Sequence, residues 1–281
     1  VRGLWDSWED GAVVGDKASG MFVDPARLHT LDHHGRFYDV KGPLNITRPP
    51  QGYPVIFQAG ASDTGRDFAA RTAEAVFTVQ QDRDEAIAFA EDLRDRCQRF
   101  GRPRDAIRIL PGICPVIGTS EADARARIAE LAARADPQAA LKVLSDRLGQ
   151  DLSHLDLDGP VPALPPSTMM QGHAVVLAAV ARRSGMTIRE LRDFTAASSG
   201  HRVIAGTPEM IADDMEQWFR SGAADGFIVQ STHYPGPLHD FLDQVVPILV
   251  RRGLFRAEYA GHTLRDHLGL QRPAHPAQAT K

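Results

Sequence analysis

The sequence predicts an α/β fold in which parallel β-strands alternate with helices. Short apolar runs of strand-favouring residues recur along the chain, and each is followed by a longer segment with apolar residues at helical spacing. Strands joined by helical crossovers run parallel in one sheet. Four such strand–helix units are predicted, which is half of the number that builds a (β/α)8 barrel.

The four predicted strands are apolar runs bounded by turn residues. Consecutive apolar residues are typical of strands that are buried on both faces. A helix is predicted after the second strand from Asp82 to Phe100, because Asp82 is a good capping residue and Gly101 and Pro103 end the pattern. The strands are VIFQA (55–59), AVFTVQ (75–80), IRILPGICPVIG (107–118) and DGFIVQS (225–231).

Capping signals mark several of the later helices. Thr187 and Glu190 have the spacing of a capping box, and Thr207 precedes a proline at the first helical position. Pro247 falls inside the last predicted helix and indicates a kink. The predicted helices after the third strand are 121–135, 141–148, 172–183, 188–197, one between Thr207 and Gly222, and 238–252.

Some segments do not follow this alternation. Residues 4–12 are interpreted as the end of a helix, and residues 33–46 as a short hairpin or an extended arm. Residues 137–205 carry extra helices and a Pro-rich loop at 151–166, so they are predicted to be an insertion. Residues 271–281 are predicted to be a flexible tail.

Composition and charge limit the class of protein. The chain has 281 residues, 43% hydrophobic and 24% charged, as in ordinary globular proteins. A net charge of −4 gives no electrostatic case for binding nucleic acid or an anionic membrane. No apolar run approaches the about 20 residues of a membrane span, and no secretory signal is visible. Cys97 and Cys114 are too few for a disulfide framework and fit the reducing cytoplasm.

The stretch VIFQAGASDTGRDFAART (55–72) combines a strand, a tight turn and a helix start. Gly60 permits a close turn, and Ser62 is a favourable N-cap residue. A helix start presents unpaired N–H groups and a partial positive charge, which suit a phosphate group. A capped helix with no ligand explains the same pattern, and the stretch matches neither a Walker loop nor G-x-G-x-x-G.

The histidines and tryptophans offer weaker candidates for a site. His29, His33 and His34 are close in sequence, but adjacent histidines in a strand cannot easily share one metal, so no metal site is predicted. His173 could face substrate from the insertion, or lie in solvent at a helix start. His201 and His233 are further candidates for substrate contact. Trp5, Trp8, Trp218 and Phe219 are interpreted as packing residues.

Four long segments resemble one enzyme family in the same order. The chain is similar to the nitrilotriacetate monooxygenase family of FMN-dependent, bacterial-luciferase-like monooxygenases. The segments are WDSWEDGAVVGDKASGMFVDPARLHTLDHHGRFYDVKGPL (5–44), PQGYPVIFQAGASDTGRDFAARTAEAVF (50–77), GTPEMIADDMEQWFRSGAADGFIV (206–229) and RRGLFRAEYAGHTLRDHLGL (251–270).

The resemblance implies a (β/α)8 barrel of which this chain is the C-terminal half. The four predicted strands then correspond to barrel strands five to eight, within a domain that spans residues 1–270. The segment 137–205 corresponds to the family's long insertion. Strands one to four of the family have no counterpart in this sequence.

The resemblance also implies the chemistry. Family members oxygenate small organic compounds with O2 and reduced FMN, which a separate flavin reductase supplies. On this basis Gly60, Ala61 and Ser62 hold the FMN phosphate, and the full-length protein is expected to be a cytoplasmic homo-oligomer. No catalytic residue is predicted. A truncated fragment without activity and a deazaflavin-dependent oxidoreductase remain as alternatives, although QAGAS (58–62) and GTPEMIADDMEQWF (206–219) favour FMN.

The chain alone is expected to associate with itself. Four strands of a closed barrel leave two apolar sheet edges, VIFQA and GFIVQ, without the lysine or proline that usually protects an edge.

Overall fold

The computed structural model describes residues 1–162 and 171–278, and these divide into two compact units. One unit combines residues 1–55 with the C-terminal segment from Glu258, and the other comprises residues 56–257. The second unit contains the parallel sheet and the turn that the sequence singles out. No helix in either described stretch is long and apolar enough to cross a membrane.

The first unit is built from short elements. Helix α1 (Arg2–Trp5) is followed by two antiparallel hairpins, β1 (Val13–Asp16) with β2 (Met21–Val23) and β3 (His33–His34) with β4 (Asp39–Val40). The hairpin predicted within 33–46 is therefore confirmed. The helix predicted to end near residue 12 is wrong, because α1 already ends at Trp5, where Asp6 leaves helical geometry.

Hydrogen bonds from arginine and histidine side chains hold this unit together. The guanidinium of Arg48 is bound to Asp6 at 2.9 Å and donates to the carbonyl of Pro273 at 2.8 Å. Two side chains from the stretch predicted as a tail are also bound. Arg272 donates to the carbonyl of Pro50 at 2.7 Å, and the buried His275 lies 2.8 Å from the carbonyl oxygen of Asp6.

The second unit alternates strands and helices, which confirms the predicted α/β fold with a parallel sheet. In the described residues between β7 and β8 four helices follow one another, three of which pack around Leu144, Leu148, Leu177 and Leu191. In chain order the elements are β5 (Phe57–Gln58), α2 (Asp63–Thr72), β6 (Ala75–Thr78), α3 (Arg83–Arg99), β7 (Arg108–Ile117), α4 (Glu121–Arg134), α5 (Pro137–Leu148), α6 (Gln171–Ser184), α7 (Ile188–Ser198), β8 (Arg202–Gly206), α8 (Pro208–Arg220), β9 (Ile228–Val229), α9 (Gly236–Asp240) and α10 (Val246–Arg251).

Strand β7 organises the sheet, whose order is β5-β6-β7-β8 with β9 also on β7. Its first residues pair with β6 from Arg108 to Pro111, and its last residues pair with β8 from Ile113 to Ile117. Strand β9 pairs at Gly112 and Ile113. Helices α2 and α3 cover the first half of the sheet, where Leu93, Val76 and Ile109 share a buried cluster.

The sheet has five strands rather than the four that the sequence predicts. The additional strand is β8, which falls at the end of the predicted insertion 137–205. Alternate residues of β8 are buried, but the run is short and contains an arginine and two small residues, so its apolar signal is weak.

The segment between β7 and β8 leaves the sheet after Ile117 and re-enters it at Arg202, which pairs with Ile113. At the other end of the pairing, Gly118 follows the last paired residue of β7 and donates its N–H to the carbonyl of Gly206, the last paired residue of β8, at 2.9 Å. Residues 119–205 therefore begin and end beside this hydrogen bond, and they include most of β8.

The last helix of this unit is interrupted near the predicted kink. A π-helical turn, Phe241–Val245, joins α9 to α10. Pro247 lacks an N–H group and cannot make the regular helical hydrogen bond at that position, so a local change of winding accommodates it.

Candidate phosphate-binding turn and cleft

The turn between β5 and α2 is fixed by its own side chains. Ser62 is the N-cap of α2, as predicted, and its Oγ accepts a hydrogen bond from the N–H of Gly65 at 3.1 Å. Gln58, at the end of β5, accepts from the N–H of Gly60 at 2.7 Å. Arg66 donates from Nε to the carbonyl of Ala61 at 2.9 Å. Each residue of the turn is thus tied to a neighbouring element.

Two glycines allow the turn to lie directly against the first turn of the helix. A Cβ on Gly60 would lie 2.5 Å from Nε2 of Gln58 and 3.2 Å from Cα of Gly65. A Cβ on Gly65 would lie 3.2 Å from Cα of Gly60 and 3.1 Å from Oγ of Ser62. Close approach of two backbone segments, rather than an unusual φ angle, therefore requires glycine at both positions.

The start of α2 presents free backbone donors. Within the described stretches, the N–H groups of Ala61, Ser62, Asp63 and Thr64 have no acceptor in the protein. Donors at a helix start carry a partial positive charge, and they favour an anion over a neutral group. The turn consequently offers a set of converging donors of the kind that binds phosphate.

An open cleft of about 580 Å³ lies next to this turn. Its walls come from the turn, from the end of β6, from α3 and from α6. Phe89 and the two valines of α6 give it an apolar side, and Ser62, Arg66 and Gln80 give it a polar one. The lining residues are Ala61, Ser62, Asp63, Arg66, Val79, Gln80, Glu85, Ala88, Phe89, Val175 and Val176.

The two acidic residues in the cleft wall are each bound to an arginine outside it. Arg96 binds Asp63 at 2.6 Å, and Arg183 of α6 binds Glu85 at 2.8 Å. These pairs reduce the repulsion that either carboxylate would exert on an anion in the cleft.

A third carboxylate, that of Asp92, binds Arg66 in the first turn of α2. It accepts from Arg66 at 3.0 Å and from Arg96 at 3.0 Å. Burial raises the pKa of the Asp92 carboxyl, but the hydrogen bonds from Arg96 and Arg66 outweigh burial and hold this pKa below its ordinary value. Asp92 is therefore charged at neutral pH and anchors both arginines.

The residues present fit a flavin phosphate. The free N–H groups and the Ser62 hydroxyl supply donors, and Gly60 allows the turn that carries them to pack against Gly65 at the start of α2. An apolar wall beside a polar end also suits a ligand with a phosphate at one end and an aromatic ring at the other.

Of the predicted cofactor residues, Ala61 and Ser62 line the cleft and Gly60 forms the turn behind them. His173 lies in the first turn of α6, but its side chain is outside what the structure describes. Val175 and Val176 of the same helix do reach the cleft.

The other histidines do not join this cleft. His201 is buried, with its ring 5.4 Å from that of Phe77. His233 lies against a separate cavity of about 200 Å³ between the end of β7, α4 and α9. His29 pairs with Glu9 at 2.8 Å, and His34 lies 3.1 Å from Asp39. Across residues 1–162 and 171–278 no cluster of three His, Cys, Asp or Glu side chains could hold a metal.

The aromatic packing residues are mostly confirmed. Trp5 stacks on Tyr53 with ring centroids 5.6 Å apart, and Trp8 donates to the carbonyl of Leu44 at 2.7 Å. Trp218 is buried under the guanidinium of Arg202, 4.0 Å from the ring. The interpretation is wrong for Phe219, which is 47% exposed.

Sequence reasoning missed Arg66, Gln80 and the valines of α6. Arg66 follows Ser62 by four residues, so one helical turn places it beside the cap. That spacing is a signal available in the sequence. Gln80 and α6 line the cleft only because elements that are distant in sequence pack together, and no local sequence pattern predicts this.

The chain is similar to known proteins over most of its length. The luciferase-like monooxygenase family matches residues 26–225. Nitrilotriacetate monooxygenase component A from Aminobacter aminovorans is 46% identical over 272 residues, which cover 96% of this chain and 60% of that protein.

Two solved structures are similar over almost the whole chain. DmoA from Hyphomicrobium sulfonivorans matches with a TM-score of 0.86 and 33% identity, over 99% of this chain and 60% of that one. A riboflavin lyase, solved with modified FMN and its substrate riboflavin, matches with a TM-score of 0.80 and 30% identity, over 100% of this chain and 62% of that one. The chain thus spans about 60% of the length of these relatives.

Proposed function

This chain belongs to the luciferase-like monooxygenase family, as its motifs predict, and we propose that it binds FMN and forms part of a two-component monooxygenase that acts on a small organic compound. The observation that carries the proposal is the turn at Gly60, Ala61 and Ser62. Its free N–H groups lie beside a cleft of about 580 Å³ next to the sheet, which is large enough for one end of an FMN molecule. Ligands in (β/α)8 enzymes lie at this carboxyl end of the strands.

We further propose that β5, β6, β7 and β9 correspond to strands five to eight of a (β/α)8 barrel. The parallel register from β5 through β6 to the first half of β7, and from there to β9, supports this assignment. Strand β8 pairs with β7 from Ile113 to Ile117, and in this assignment it is not one of the eight barrel strands.

The residues of the cleft have separate tasks in this proposal. Ser62 and the free N–H groups of the turn bind the phosphate, and Gly60 allows the turn to pack against the start of α2. Phe89, Val175 and Val176 provide apolar surface that excludes water from one side of the cleft. Reduced FMN, when bound, supplies the electrons that activate O2. His173, at the start of α6, is the proposed substrate-contacting residue.

A separate flavin reductase is the proposed partner. One relative is named component A of nitrilotriacetate monooxygenase, which supports a second component. No dinucleotide-binding fingerprint occurs in the sequence, so NADH is not expected to bind this chain. The two free cysteines support a reducing, cytoplasmic setting. A homo-oligomer is proposed for the full-length protein.

Anaerobic titration tests the proposal. The purified chain is titrated with FMN and with reduced FMN while flavin fluorescence and absorbance are recorded. Saturable binding of both forms with one flavin per chain supports the proposal, and a Ser62→Asp variant serves as the control that should not bind. Absence of binding would favour an inactive fragment. NADH oxidation by the chain without a reductase would contradict the two-component assignment.

A further inference from the structure

We propose that Arg66 makes this cleft select a phosphorylated flavin over riboflavin. The inference rests on the proposed function, because it concerns the same turn. Arg66 lines the cleft beside Ala61 and Ser62, and its side chain is 32% exposed. It is the cationic side chain of the cleft wall among the described lining residues.

Three contacts fix the Arg66 guanidinium. Its Nε donates to the carbonyl of Ala61 at 2.9 Å, and its Nη1 donates to Asp92 at 3.0 Å. The guanidinium carbon lies 4.9 Å from the centre of the Phe89 ring, which supports the planar group from one side. A side chain held at three points loses little further freedom when a ligand binds.

The bond to Ala61 orients a donor as well as an acceptor. The carbonyl of Ala61 and the N–H of Ser62 belong to one planar peptide group and point in opposite directions. By holding that carbonyl, Arg66 directs the Ser62 N–H away from itself. This N–H has no acceptor in the described part of the protein, so it is available to a phosphate oxygen.

One donor nitrogen of Arg66 is also unused. Nε and Nη1 are bound within the protein, whereas Nη2 has no acceptor among the residues that the structure describes. Asp92 shares its charge between Arg66 and Arg96, so it does not fully neutralise Arg66. Arg66 therefore provides both an oriented N–H and a charged donor, and an anionic phosphate gains more from them than an uncharged hydroxyl does.

Riboflavin has the same ring system and ribityl chain as FMN but lacks the phosphate. Loss of Arg66 should consequently weaken FMN binding and leave riboflavin binding almost unchanged. A role limited to folding would affect both ligands alike, so the ratio of the two affinities separates a role in recognition from a structural one.

The experiment compares dissociation constants for oxidised FMN and riboflavin in the unaltered chain and in Arg66→Met and Arg66→Lys. Arg66→Met should weaken FMN binding by more than about tenfold and riboflavin by less than about twofold, since a charged hydrogen bond is lost. Arg66→Lys should bind FMN more tightly than Arg66→Met but less tightly than the unaltered chain, because lysine keeps the positive charge and cannot reproduce the hydrogen bond from Nε to Ala61.

Arg71→Met is the matched control. Arg71 lies in the same helix and also stacks on an aromatic ring, 4.5 Å from the centre of Phe100, but it is not part of the cleft wall. Its replacement should leave both affinities unchanged. Melting curves for each variant verify that the chain is folded.

Two outcomes overturn the assignment while the proposed function stands. Equal weakening of FMN and riboflavin by Arg66→Met would show a structural role, and unchanged FMN affinity would show no role. If the unaltered chain bound neither flavin, the proposed function would fail and this assignment with it.

Discussion

Ser62 has two tasks that can be separated by substitution. Its Oγ caps α2 through the N–H of Gly65, and its O–H group remains available to a ligand. Ser62→Ala removes both, and should weaken FMN binding by roughly tenfold or more. It should also lower the stability of the fold by about 1 kcal/mol, the usual cost of losing an N-cap.

Ser62→Asp separates the two effects. Aspartate is as good a cap as serine, so thermal stability should be kept, but its charge repels a phosphate and FMN binding should fall further than in Ser62→Ala. Calorimetric titration and thermal melts measure the two quantities. An FMN dissociation constant unchanged in both variants would remove Ser62 from the site.

The two cysteines should be inert in the folded protein. Burial raises the pKa of the Cys114 thiol to about 11, and burial also raises the pKa of the Cys97 thiol. Because the thiolate is the reactive form, neither should react with a disulfide reagent at mildly alkaline pH. Both should react in denaturant. Rapid labelling of either cysteine in the native chain would show that α3 or β7 opens easily.

Helices α2 and α3 are joined by one arginine that binds three carboxylates. Arg96 of α3 binds Asp63 and Asp67 of α2 at 2.6 Å each, and Asp92 of its own helix at 3.0 Å. Because the pKa of Asp92 is lowered in the folded state, its contribution to stability is complete above the ordinary value of 3.8. That contribution is lost as the pH falls through the lowered value.

Stability should therefore fall below about pH 4, and it should fall less steeply in Asp92→Asn. Asp92→Asn should be less stable than the unaltered chain at neutral pH, because Arg66 and Arg96 lose a charged partner. Urea unfolding between pH 7 and pH 3 measures both effects. Identical pH profiles for the two proteins would mean that Asp92 contributes nothing to the acid dependence.

Local signals allowed most helices to be predicted. The caps at Ser62, Asp82, Thr187 and Thr207 are all present, since a cap depends on residues within one helical turn. Strands were harder to define. Strand β8 was missed, and β5 and β9 are each two residues long, because pairing with a distant strand decides where a strand begins and ends.

The candidate site was likewise predictable only where it depends on residues that are close in sequence. Ala61 and Ser62 follow from the turn pattern together with the family resemblance, and both line the cleft. Gln80, Glu85 and the valines of α6 meet them only through tertiary packing, so neither spacing nor composition could indicate their part in the cleft wall.

At the scale of the whole molecule, the sheet has exposed edges. In the described residues β5 pairs with β6 alone, and β9 with β7 alone. Phe57 of β5 is 46% exposed. Apolar edge strands without protecting charges are sites of intermolecular pairing.

The 281-residue chain should therefore self-associate when purified alone, and light scattering after size exclusion should give a mass above that of one chain. Phe57→Lys should reduce this association by placing a charge on the edge. A monodisperse monomer that melts cooperatively would contradict the prediction.

The hydrogen bond between Gly118 and Gly206 has an evolutionary consequence. Residues 119–205 begin and end beside this bond and include most of β8, so recombination could replace this continuous stretch of gene without shifting the register of β6, β7 and β9. Closing a loop of different length costs little, since the entropy of closure grows only slowly with length. Because α6 lines the cleft from within this stretch, such an exchange would alter one wall of the cleft and leave the turn at Gly60, Ala61 and Ser62 unchanged.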